Sequence, residues 1–281
     1  IIYNNRQLRI LMDFPSRGTQ SLEGDNWTAS SVVTGSDFLP RNLNTDIVEE
    51  YYRSNDGVVS VTLTCNSGLI QGVPVDTIAI LSHNLTASAL VQVQGSKNGA
   101  FSPPDITFNM KTEAANMYYI AETLPGIAGQ NTFWRFIIQD PANPDGYIKI
   151  GTILFGSSRI FSLAETYTEP LKFGRKHFKD SLETEGYTEV TNDKTLKKRL
   201  GLKFEQLDRR FQNFRILEDL METARTSLKC LVIPNPKHAS RYAIFAKLVD
   251  LPDYDVKSLG EDEKGVEHET IDIELEWDES K

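Results

Sequence analysis

Two carboxylates, Asp140 and Asp145, bracket the turn Asp140-Pro141-Ala142-Asn143-Pro144-Asp145-Gly146 and come nearest, in this chain, to a reactive pair. A pair of Asp side chains is what glycosidic hydrolysis requires, one as proton donor and one as base or nucleophile. The same oxygens suit Ca²⁺, although their spacing matches no recognisable calcium loop. Asp and Asn in a turn ordinarily accept backbone N–H groups that the turn leaves unpaired, and that role is expected of both here. His83 falls at a bend, with no Cys or second His at ligand spacing, and is expected to cap backbone groups. His177, His238 and His268 are isolated, each beside Lys or Glu. The chain has no phosphate loop, nucleophile elbow or dinucleotide fingerprint. No catalytic residue, metal ligand or cofactor is therefore expected, and the chain is expected not to be an enzyme.

Binding without catalysis asks for less. A glycan site needs exposed aromatic rings beside a few hydrogen-bonding side chains. Trp27, Phe101 and Tyr119 are the candidate rings, with Asn98 as a candidate polar contact and Lys97 and Arg17 as further ones. Asn26-Trp27-Thr28 and Asn84-Leu85-Thr86 fit the glycosylation triplet, a pattern frequent by chance. Cys65 and Cys230 fall in different halves of the chain, so both are expected as small buried apolar residues in a reducing compartment rather than as a disulfide.

Composition bounds these readings. At 281 residues the chain can hold two domains, each with its own core. The apolar 40% and charged 25% are ordinary for a globular protein. A net charge of −9 argues against a general nucleic-acid binder, which would carry a basic face. The acidity gathers at Glu261–Glu263 and Glu267–Glu279, which reads as a solvated face or as a docking edge for a basic partner. No apolar run approaches the ~18 residues of a membrane helix, and the first ten residues lack the layout of a secretory signal.

The elements that must position these residues are mostly strands. Short runs at intervals of ~8–12 residues, separated by turn signals, predict strands at Val58–Cys65, Thr77–Leu81, Ala89–Gln94, Met117–Ala121, Phe133–Gln139 and Tyr147–Phe155. Phe133, Arg135 and Ile137 alternate with Trp134 and Phe136, the period of two that buries one face. A boundary is expected at Leu163–Pro170. Beyond it, Leu196 to Phe204 reads as a strand, and Leu207, Phe211, Phe214, Leu217, Met221, Ala224 and Leu228 follow the spacing of one long amphipathic helix. Strands at Leu228–Ile233, Tyr242–Leu248 and Thr270–Trp277 follow. The expected domains are an extended arm over 1–40, a sandwich over 41–165 and a β-rich domain with the helix over 166–281.

Three stretches carry a family resemblance. Phe133–Gly156 resembles the turn-containing segment of tail-tip, or distal-tail, baseplate proteins of long-tailed bacteriophages. Val75–Ser96 is similar to the central hairpin of a galactose-binding-like (discoidin-type) jelly roll, with His83-Asn84 at its bend. Leu39–Ser54 resembles the opening of the same domain, with Tyr52-Arg53-Ser54 where that family usually ends in Trp-Arg-Ser. The later layout of strands, helix and strands resembles the ring-forming tail-tube fold. The resemblance implies a mainly β protein: an N-terminal jelly-roll sandwich, then a tail-tube-like domain with one long helix. It implies a structural virion component made in the host cytoplasm, a hexamer-like homo-oligomeric ring between the tail tube and the receptor-binding apparatus. Other tail and baseplate proteins would be its partners, and DNA would only pass through a lumen, which the acidic Thr270–Trp277 would line. The alternative is a carbohydrate-binding module recognising a host-surface glycan.

Overall fold

The computed structural model describes residues 8–12, 26–33, 35, 37–44, 50–68, 73–111, 116–120, 127–161, 172–176, 179–183, 189–193, 197–208, 215, 229–248, 256–261 and 267–278. The chain is mainly β and separates into two compact units. One comprises residues 1–12, 159–237 and 242–280; the other takes residues 13–158 with 238–241 and Lys281. In the sequence, most of the second unit thus falls between residues 12 and 159 of the first.

The first unit opens with β1 (Arg9–Leu11), a buried three-residue strand. The sandwich unit follows with β2 (Trp27–Ala29), β3 (Tyr52–Arg53), β4 (Ser60–Asn66), β5 (Val73–Val75), β6 (Thr77–His83), β7 (Leu90–Ser96), β8 (Ile106–Met110), β9 (Asn116–Ile120), β10 (Ile127–Asn131), β11 (Phe133–Gln139) and β12 (Lys149–Gly156). A five-stranded antiparallel sheet runs β2-β4-β11-β7-β8, a four-stranded sheet runs β3-β12-β6-β9, and β10 pairs with β5. Between the two larger sheets lies one core, which draws Leu63, Val93, Trp134 and Phe136 from the first and Tyr52, Ile80, Ile153 and Phe155 from the second.

Alternation in β11 follows the pleat: Trp134, Phe136 and Ile138 are buried, while Phe133, Arg135 and Ile137 are half-buried on the other face. The rings of Trp134 and Phe136 lie 5.6 and 6.1 Å from that of Phe155. Tilted aromatic pairs of this kind add about 0.5–1.5 kcal/mol each to simple burial. Burial also pushes the Tyr52 phenol well above its ordinary pKa, and its hydroxyl donates to Ser31 O at 2.5 Å.

One expected connection differs from what is found. Val75–Ser96 is not a hairpin, because β6 lies in the four-stranded sheet and β7 in the five-stranded one. Likewise β11 and β12, on either side of the Asp140–Gly146 turn, belong to opposite sheets. The reason lies in the apolar pattern. Thr77–Leu81 in β6 and Ile150–Gly156 in β12 are buried at every position, so these strands pack best against each other, and the chain arches across the core to reach β7 and leave β11.

In the first unit the strands continue as β13 (Arg159–Ile160), β14 (Lys172–Lys176), β15 (Lys179–Glu183), β16 (Glu189–Asp193), β17 (Lys197–Asp208), β18 (Lys229–Ile233), β19 (Ile244–Leu248), β20 (Val256–Glu261) and β21 (Glu267–Asp278). Its main sheet runs β13-β1-β18-β19-β21-β17-β14, with β20 on β21; β15 pairs with β16 separately. Arg9–Leu11, read from sequence as part of an extended arm, is an interior strand here, paired with β13 on one side and β18 on the other. Leu207 is also placed differently: it ends a strand opposite Ile271 rather than opening a helix. The remainder of the expected long helix lies outside the described residues apart from Arg215, which is helical. The expected boundary at Leu163–Pro170 lies outside them as well. Leu200, Leu202 and Phe204 are in register with Trp277, Leu275 and Ile273, so the two alternating runs picked out in the sequence are partners. Among the described residues no helix is long and apolar enough to cross a membrane.

Candidate functional site

The Asp140–Gly146 turn is built as a clasp. Asp140 is fully buried. One of its oxygens accepts from Thr86 N at 2.8 Å and the other from Thr86 Oγ1 at 2.6 Å. Asn143 Nδ2 donates to Asp140 Oδ2 and to Asn84 O, both at 3.2 Å, while Asp145 N donates to Asn143 Oδ1 at 3.0 Å. From the facing loop, Asn84 Nδ2 donates to Asp145 Oδ2 and to Tyr147 O at 2.9 Å each, and Asn84 Oδ1 accepts from Lys149 N. Gly146 closes the turn at φ +72°, a conformation that side chains resist. Both carboxylates therefore hold loops together.

His83 caps its own bend, its Nδ1 accepting from Leu85 N at 3.1 Å. Nε2 is buried without a hydrogen-bond partner among the described residues. Burial lowers the imidazole pKa to about 4, against the opposing pull of the Asp140 charge. Among the described residues no three His, Cys, Asp or Glu gather where they could hold a metal ion. Cys65 and Cys230 are buried and form no disulfide among the described residues.

The candidate glycan contacts separate. Trp27 is 4% exposed, its ring 5.8 Å from Phe136 and its Nε1 donating to Asn44 Oδ1 at 2.6 Å. It belongs to the core and presents no face to a ligand. Asn26, beside it in sequence, and Asn44, beside it in space, are joined by a hydrogen bond between their side-chain amides. Tyr119, partly buried, stacks on Phe108 with centroids 4.3 Å apart. Phe101 and Asn98 share the loop between β7 and β8. Asn98 is exposed and its Oδ1 accepts from Ser96 Oγ and Ala100 N. Lys97 is exposed on the same loop. Arg17 lies outside the described residues.

Phe101 leads to a group that the sequence reading passed over. Arg135 of β11 lays its guanidinium on the Phe101 ring, 4.2 Å from the centroid. Its Nε donates to Gln94 Oε1 at 2.8 Å, and one terminal nitrogen, Nη2, donates both to Gln94 Oε1 and to Phe101 O. Gln94 Nε2 in turn donates to Gln92 Oε1 at 2.8 Å. Register extends this group across the outer face of the five-stranded sheet. Thr28, Thr64, Arg135, Gln94 and Thr107 form one cross-strand row, and Thr62, Ile137, Gln92 and Asn109 form the next. Four interstrand spacings of about 4.8 Å make such a row roughly 19 Å long. Thr28, Thr107 and Asn109 are exposed and Gln92, Thr62 and Thr64 half-exposed.

This face is almost without charge. The five strands WTA, SVTLTCN, LVQVQGS, ITFNM and FWRFIIQ contain a single ionisable side chain that would be charged at neutral pH, Arg135. At the usual surface fraction of roughly 25–35% charged residues, about four of some fourteen outward positions would carry charge. The signal was present in the sequence, but only as an absence spread over five separate segments.

No family model and no curated protein sequence matches the chain. Among solved structures, similarity is found to chitosan-binding module 1 of a chitosanase/glucanase from Paenibacillus sp. IK-5, at 14% identity and a TM-score of 0.37, covering 52% of this chain and 99% of that one. It is found also to a GH29 fucosidase of Ruminococcus gnavus in complex with fucose, at 18% identity and a TM-score of 0.41, covering 52% of this chain and 27% of that one. A family 89 glycoside hydrolase of Clostridium perfringens is similar at 14% identity and a TM-score of 0.31, with 16% of that chain covered. At these scores the likenesses carry no argument about ligand or activity.

Proposed function

We propose that the chain is a non-catalytic binding protein whose sandwich unit holds a glycan on the outer face of the five-stranded sheet. The observation that carries this reading is the uncharged, hydrogen-bonding character of that face, broken only by Arg135 on Phe101. Gln, Asn, Thr and Ser each offer donor and acceptor atoms, which matches the alternating donors and acceptors of a sugar's hydroxyls. Covering neutral polar groups costs little when each finds a partner, whereas covering unpaired Lys or Glu would cost several times more. Phe101 and the half-exposed Phe133 supply ring surface beside them. The clasped carboxylates, both engaged in holding loops, support binding rather than hydrolysis.

Affinity electrophoresis or a glycan array with the whole chain, using neutral and acidic polysaccharides, tests the proposal. At least one should retard the protein, and the double substitution Gln92→Ala with Asn109→Ala should abolish retardation while leaving the thermal midpoint nearly unchanged. No retardation by any member of the panel would refute it, as would turnover that disappears on replacing Asp140 or Asp145.

One observation favours a second reading, a ring-forming structural component of a phage tail tip. Among the described residues the main sheet of the first unit is open, running from β13 to β14, and open sheet ends invite pairing with another copy, which a ring can satisfy. Light scattering distinguishes the two readings: a stable assembly of about six chains supports the ring, and a monomer of 31.7 kDa at high concentration counts against it.

A further inference from the structure

We infer that the glycan held on this face is an acidic one, a uronic-acid sugar whose carboxylate meets the Nη1 edge of Arg135. The inference rests on the glycan reading above and adds the ligand's charge to it. Arg135 is the sole cation of the five strands, and among the described residues no carboxylate pairs with it. Its hydrogen-bond acceptors are two neutral oxygens, Gln94 Oε1 and Phe101 O. This is unusual in a chain with 39 acidic residues against 30 Lys and Arg, where Arg53, by comparison, has the carboxylate of Asp56 beside it.

The way the guanidinium is held decides what it can still do. Nε and Nη2 are taken by Gln94 and the Phe101 carbonyl, and the Phe101 ring covers one flat side. What remains is Nη1, whose two N–H bonds lie in the guanidinium plane and have no partner among the described residues. Gln94, itself only 8% exposed, fixes the plane, so little side-chain freedom is left to lose when an acceptor arrives. A sugar hydroxyl could accept from Nη1, but a carboxylate accepts through a charge-assisted bond about twice as strong and also supplies the missing counter-charge.

The net charge of −9 opposes an anionic ligand at long range. In 0.15 M salt, however, charges farther than about 8 Å are largely screened, whereas a contact on a half-buried group is not. The other charges on the loop that carries Phe101, Lys97 and Asp105, cancel.

Calorimetric titration of the whole chain with oligogalacturonate and with its fully methyl-esterified form tests this directly, because esterification removes the charge and keeps the hydroxyls. The acid form should bind on the order of tenfold to a hundredfold more tightly, the difference expected of hydrogen bonds to a charged group. That preference should vanish in Arg135→Gln and survive, reduced, in Arg135→Lys. Should Arg135→Gln fail to fold, the wild type decides through salt, since the preference should shrink as sodium chloride rises from about 0.05 to about 0.5 M. Equal binding of both forms, a preference for the ester, or binding only to neutral glycans would overturn the inference and leave the glycan reading standing. No binding to any glycan, neutral or acidic, would overturn both.

Discussion

Removing the Asp140 carboxylate should loosen the sandwich more than any other single change in its loops. In Asp140→Ala, Thr86 N and Thr86 Oγ1 lose acceptors at 2.8 and 2.6 Å, and Asn143 Nδ2 loses one at 3.2 Å. Hydrogen bonds to a charged group contribute about 1.5–3 kcal/mol each, but these three share partners and will not add in full. The Thr86 hydroxyl lies 2.9 Å from Ser88 Oγ and Asn143 Nδ2 keeps the Asn84 carbonyl, whereas the Thr86 amide has nowhere else to turn. A net loss of about 3–5 kcal/mol follows. At 2–4 °C per kcal/mol for a domain of this size, the thermal midpoint should fall by roughly 6–20 °C. Asp140→Asn keeps one carbonyl oxygen and can serve only one of the two Thr86 donors, so it should cost about 1–2 kcal/mol. Circular dichroism melts of the three proteins should therefore order wild type, Asp140→Asn, Asp140→Ala. An Asp140→Ala midpoint within about 2 °C of wild type would refute the clasp, and a lost hydrolytic activity at unchanged stability would make the carboxylate catalytic instead.

Trp27→Ala should act on stability rather than on binding, costing about 3–5 kcal/mol through the cavity it leaves; urea unfolding measures the loss, and glycan affinity of the folded variant should match wild type. His83 makes stability depend on pH in a definite direction. Its folded pKa of about 4 lies below the ordinary value of about 6.5, so the unfolded chain takes up the proton first. Its neutral form contributes in full above pH ~6.5, and that contribution is lost as pH falls from there towards 4. Unfolding free energies over that window should flatten in His83→Gln, and an unchanged slope would show that another group is responsible.

Strand existence was legible wherever alternation or a continuous apolar run was long. Phe133–Gln139 could be read with its limits and its buried face because Trp134, Phe136 and Ile138 repeat at the pleat period. What could not be read was which strands pair. β6 and β7 are neighbours in sequence and carry a turn between them, the usual mark of a hairpin, yet they lie in different sheets. The apolar run Ile78–Leu81 signals burial on both faces of β6, but which strands lie beside it is a property of its partners. Arg9–Leu11 was missed for a related reason: three residues are too few to show a period, and they become a strand only through β13 and β18. Trp27 was misplaced because its flanking polar residues suggested a surface loop, whereas Asn26 and Asn44 bond to each other and to the Trp27 environment, leaving the ring free to enter the core.

The insertion follows from the same pairing. Arg9 is in register with Ile160 and Ile10 with Arg159, so the strand before the sandwich and the strand after it are hydrogen-bonded neighbours in one sheet. A unit whose entry and exit are held side by side can be added to a sheet without altering its order, since closing a long loop costs entropy only as the logarithm of its length. The strands of the sandwich close on their own core and its loops on their own clasp. On the outer face of its five-stranded sheet, Arg135 is held by the neutral oxygens of Gln94 and Phe101 and by the Phe101 ring, and the proposed glycan site is built on that arrangement.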